Sequence, residues 1–84
     1  MNKEELFNQV MEKINAEYIP GTLRYVKASH PDLWRHLVEA EDRLEMEWLN
    51  GMEEGFKKCL DAWVGFNLAA LKIFREREIQ KMLL

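Results

Sequence analysis

At 84 residues, 48% hydrophobic and 32% charged, the chain has the composition of one ordinary globular domain rather than of a disordered segment. A formal net charge of −3 and a pI near 5.4 argue against a protein that holds nucleic acid through many phosphate contacts, and one cysteine excludes a disulfide within the chain. No apolar run approaches the about 18 residues of a membrane span, and the start, Met-Asn-Lys-Glu-Glu, carries no secretory-type segment, so the cytoplasm is the expected location.

Asn2 is placed to cap a first helix, with Glu5 as its capping-box partner. Leu6, Phe7, Val10, Met11 and Ile14 form an apolar stripe, with Tyr18 one turn on, so an amphipathic helix is expected to end near Glu17. A helix of about 15 residues is marginal alone and must dock on something. Ile19-Pro20-Gly21 ends it, because proline disfavours helix for the preceding residue and glycine supplies the turn. Thr22 is the expected cap of a short helix over residues 23 to about 28, with Leu23 and Val26 inward and Tyr25 at the edge. The next helix has two equivalent starts. Ser29 can cap it in a box with Asp32, or His30 can cap it with Pro31 in the first helical position.

This third helix is expected to run to about residue 49. Leu33, Trp34, Leu37, Val38, Leu44 and Trp48 lie on one side, and Glu41 is the polar exception within that arc. A last helix, from near residue 52 to Met82, would be about 45 Å long. Its segment 56–74 organises the chain. Positions 56, 59, 60, 63, 66, 70, 71 and 74 are apolar at helical spacing, and Val64, Leu68 and Ile73 widen that face until most sides need cover. A tight connection at Asn50-Gly51 makes the last two helices antiparallel neighbours. The rival is one continuous helix through Gly51, which costs only about 1 kcal/mol at the glycine but would need a dimer to hide its apolar surface. In the hairpin, Ile73 to Met82 overhang the shorter partner and need cover from the first helix or from a second subunit.

The expected fold is therefore all-α: a small helical bundle with an N-terminal helix, a short connecting helix and a long C-terminal antiparallel helical hairpin, in one helical domain over residues 1–84.

The residues that could carry chemistry read as structural. Asp32, His36 and Glu39 share a helix face opposite the apolar stripe, where a solvated surface is expected rather than a metal site. Antiparallel pairing puts Glu41 near Leu60, Trp63 and Asn67, so Glu41 and Asn67 are candidate buried polar residues, with the Trp63 indole and the Asn67 amide as donors to the carboxylate. Glu-x-x-His, the helical ligand motif of di-iron bundles, is absent. Cys59 falls on the apolar stripe away from both histidines and reads as a core thiol. Ser29 is the one serine, and no glycine-rich phosphate loop exists. Residues 22–50 imitate a helix-turn-helix, but Glu39, Glu41, Asp42, Glu45 and Glu47 would bring an acidic helix to phosphate. No catalytic residue, cofactor or metal is assigned.

The leading expectation is a non-enzymatic module that presents a helical face to its own copy or to a partner protein, as a homodimer or other homo-oligomer. Phe66, Ile73, Phe74, Ile79 and Met82 are the expected interface. One alternative is a nucleic-acid-associated regulator, acting through Arg24, Lys27 and Arg35 or through a partner. Another is a carboxylate enzyme or metal protein built on Glu41. Residues 39–54 hold seven acids and one base, residues 72–81 four bases and two acids, an asymmetry that would guide pairing more than hold it.

Overall fold

A computed structural model describes residues 2–51 and 53–83, and helix α1 spans Lys3–Glu17. It opens as its capping residues dictate: Asn2 Oδ1 accepts the Glu5 backbone N–H at 2.8 Å, and Asn2 Nδ2 donates to the Glu5 carboxylate at 3.4 Å. Helix α2 is Thr22–Ser29. Gly21, not Thr22, is its cap, at φ +96°, where an L side chain would cost about 1–2 kcal/mol. Thr22 is already helical, and its hydroxyl turns back to donate to the Ile19 carbonyl at 2.7 Å, which allows the side chain to be buried. Thr22 and Val26, one turn apart, form the buried face of α2. Leu23 lies about 100° away on the wheel and is exposed rather than inward.

Helix α3, Pro31–Asn50, takes the second of the two expected starts, with His30 as the cap and Pro31 in the first position. His30 joins the two helices without a linker. Its N–H donates to Val26 O at 2.8 Å, and its own carbonyl accepts Trp34 N–H at 3.0 Å. Gly51, with φ −90° and ψ 166°, leaves the helical path, so the chain forms the hairpin and not one continuous helix. Helix α4 then runs Glu53–Leu83, and its expected start near Met52 lies outside the described residues. The Glu47 carboxylate fills the space left by two glycines: a Cβ at Gly55 would sit 2.5 Å from Glu47 Oε2, and one at Gly51 would also collide with that carboxylate. That places a negative charge by the first turn of α4, where the helix dipole favours it.

Among the described residues the fold is all-α, with four helices and no strand. No described helix is long and apolar enough to cross a membrane. The core has two parts strung along α4. Near the Gly51 turn, Leu44 of α3 packs with Phe56 and Leu60 of α4, and Leu6, Phe7 and Val10 of α1 close over them. Farther along, Val26 of α2, Leu37 of α3 and Ala70 of α4 form the second cluster, with Trp34 and Phe66 at its edge. Helix α3 is thus antiparallel to α4. Helix α1 is parallel to it, since Phe7 stacks near Trp63 (centroids 6.5 Å) while Ile14 and Glu17 lie beside Val64 and Leu68.

Helix α2, not α1, covers the first part of the overhang: Tyr25 meets Phe74 (centroids 5.7 Å), and the Arg77 guanidinium lies 4.5 Å over the Tyr25 ring. Beyond that contact α4 projects alone. The molecule is 49 Å long, which is α4 itself at 31 residues and about 1.5 Å each. Its radius of gyration of 14.2 Å exceeds the about 12 Å of a compact chain this size.

Gly65 sits mid-helix on the exposed side of α4, and an added Cβ there would meet nothing within 4 Å. Gly65→Ala should therefore stabilise the fold by about 0.5–1 kcal/mol, by helix propensity and a less free unfolded chain. An unchanged or lowered urea midpoint would show that the glycine serves something other than the helix.

Candidate functional site

Helices α1 and α3 both lie on α4 and leave a cleft of about 460 Å³ between them. Its floor is Phe56 and Trp63 of α4. Phe7 and Met11 of α1 form one wall, and Leu44 and Trp48 of α3 form the other. Trp48 closes one end. Its ring meets Phe7 at 5.8 Å and Phe56 at 5.2 Å, both edge-on, the favoured geometry for aromatic quadrupoles. Lys3 locks the corner: its ammonium donates to Trp48 O at 2.8 Å and lies 5.4 Å from the indole centroid. Glu41 and Glu45, one turn apart on α3, line the cleft with exposed side chains. The result is an open apolar cleft with carboxylates along one wall.

Glu41 is thus exposed, not buried. Trp63, one of its three expected neighbours, lines the same cleft, but α1 leaves this part of α3 uncovered. Asn67 is half-buried and donates to the Trp63 carbonyl of its own helix at 2.8 Å, so it satisfies itself one turn back.

The expected interface residues divide. Phe74 is a core residue, 7% exposed, because α2 folds onto it, and Phe66 is half-buried against the second core cluster. Ile73 is half-buried as well. Ile79 and Met82 are open, at 50% and 85% exposed. With Leu68, itself 43% exposed, they fall at i, i+11 and i+14, a single narrow line on a helix, and Lys72 and Arg75 lie on the same line. Among the described residues neither of these two cations makes an ion pair, whereas Arg77 and Lys81 both reach Glu78, at 3.1 and 3.8 Å.

A second depression, about 290 Å³, is lined by His36, Glu39 and Arg43 of α3 and Lys58, Cys59 and Phe66 of α4. The hairpin register thus brings His36 to the same hollow as Cys59, which the sequence reading had kept apart. His36 lies flat on Phe66 (5.3 Å, 6° between planes), a packing use of the imidazole. Among the described residues no three His, Cys, Asp or Glu side chains are grouped to hold a metal ion. Of the three basic residues that imitated a DNA reader, Lys27 lies 5.5 Å over the Trp34 ring, and Arg24 and Arg35 are exposed.

The sequence reading missed the role of Trp48 in joining α1 to the hairpin. The available signal was its position one turn before Gly51, with Phe56 one turn after the break. No known family model, curated protein or solved structure matches this chain.

Proposed function

We propose that this protein is a non-enzymatic helical module that works by lending the uncovered end of α4 to another chain, in the first place to its own copy. One observation carries the reading: Ile79 and Met82, 50% and 85% exposed, stand on the part of α4 that outruns every neighbour. Exposed apolar surface in a line, bordered by charge, is the form of an interface rather than of scattered surface residues. The surface area points the same way. A monomer of 10.1 kDa is expected to expose about 5,300 Å², and this chain exposes 6365 Å². The excess, about 1,100 Å², exceeds the about 800 Å² that each partner contributes to a standard interface.

Ile79→Asp with Met82→Asp is the direct test, because both side chains are exposed and the fold does not depend on them. Ile73 is a poorer target, since it is half-buried and a charge there would disturb the monomer. Light scattering on a sizing column should show the parent chain at a mass of two or more chains and the double variant at one, with equal helix content by circular dichroism. A parent chain that runs as a single chain at every concentration, or a double variant that keeps the parent mass, contradicts self-association through this line.

A further inference from the structure

Resting on that reading, we propose that the end of α4 from one copy docks in the α1–α3 cleft of another, with Ile79 and Met82 entering the apolar cleft and Lys72 and Arg75 facing Glu41 and Glu45. The two surfaces are complementary in shape and in charge. One is a convex helix line that carries apolar side chains and two unpaired cations among the described residues; the other is concave, aromatic and edged by two exposed carboxylates.

The rival occupants fit less well. Pairing the line with itself, antiparallel and with Leu68 opposite Met82, puts Arg75 against its own copy, a like-charge contact that costs rather than stabilises. The chain's own tip cannot reach its own cleft. Trp63 and Met82 are 19 residues apart on one unbroken helix, about 28 Å, so the cleft must be filled from outside. A helix laid in an apolar groove is a common recognition mode, with affinity from the apolar anchors and register from the charges. Made reciprocally about a two-fold axis, with each tip in the other copy's cleft, the contact gives a dimer; made head to tail, it is heterologous. The head-to-tail form either closes into a ring or continues as a chain of copies.

Charge reversal tests this on the 84-residue chain. Glu41→Lys with Glu45→Lys makes cleft and tip both basic; Lys72→Glu with Arg75→Glu makes both acidic. All four side chains are exposed, so both variants should keep parental helix content. Each alone should drop at least twofold in weight-average mass, to a single chain. Mixed in equal amounts, they should regain the parental mass, because each tip then meets a cleft of opposite sign. Higher salt should weaken both the parent and the mixture. A charge variant that keeps the parental mass, or a mixture that stays at single-chain mass, overturns the docking. If the charge variants keep their mass while the Ile79–Met82 variant falls apart, self-association through α4 stands and the acidic cleft is not its seat. If the parent itself is a single chain throughout, both proposals fall.

Discussion

Phe56→Ala should cost about 3–5 kcal/mol, the range for a large aromatic removed from a core that cannot collapse around the gap. The whole stability of an 84-residue domain is about 4–13 kcal/mol, so this one change removes at least about a fifth of it and, at the low end, all of it. The size of the effect follows from position. Phe56 is fully buried, one turn past the Gly51 break, with Leu44 from α3 and Leu60 from its own helix in its cluster. Three helices meet there, and loss of the ring also removes the edge contact to Trp48. Urea unfolding should show a much lower midpoint with an unchanged slope, since the surface exposed on unfolding barely changes. A loss below about 1 kcal/mol would mean that the turn end of the bundle is far more plastic than a packed core allows.

Trp48→Ala should cost less, about 2–3 kcal/mol, because the indole is 37% exposed, but its effect should be local. Trp48 is where α1 touches α3: through Phe7, through the Lys3 ammonium over the ring, and through the bond from Lys3 to the Trp48 carbonyl. The backbone carbonyl survives the substitution, but the ring that fixes the lysine does not. Amides of α1 should then exchange several-fold faster with solvent, while those of α3 and α4 around Leu37 and Ala70 keep their protection. Equal acceleration along the whole chain would show that α1 is not a separately docked element.

The helices themselves were legible from the residues. Asn2 with Glu5, Pro20-Gly21, Pro31 and Gly51 are local signals whose physics acts within one turn, and each falls within three residues of an observed boundary. Less legible was which helix covers which. Phe74 reads as an interface residue from its place near the end of α4. It is buried because α2, only eight residues long, returns across that end, and nothing in the α2 pattern states its direction. Glu41 reads as buried because the apolar arc of α3 surrounds it. The arc marks a face that needs cover; it does not say whether this chain supplies it. Where α1 lies over Phe56 the cover is internal, and at Glu41 it is missing. Ile79 and Met82 were readable as unpartnered because the mismatch of helix lengths is a property of the sequence alone.

The parallel seating of α1 on α4 bears on the order of events during synthesis. Lys3 bonds to Trp48, 45 residues later, and the rest of the α1 face rests on positions 56–68, later still. At about 5–20 residues per second, translation leaves the apolar face of α1 without its seat for several seconds after the helix has been made. Helix α3 packs on its neighbours in sequence, and α2 packs on α3 at once but meets Ala70 and Phe74 only when that part of α4 has been made. Helix α1 is thus made well before its seat, and through that interval Leu6, Phe7, Val10 and Ile14 are open to whatever else in the cell binds an amphipathic helix.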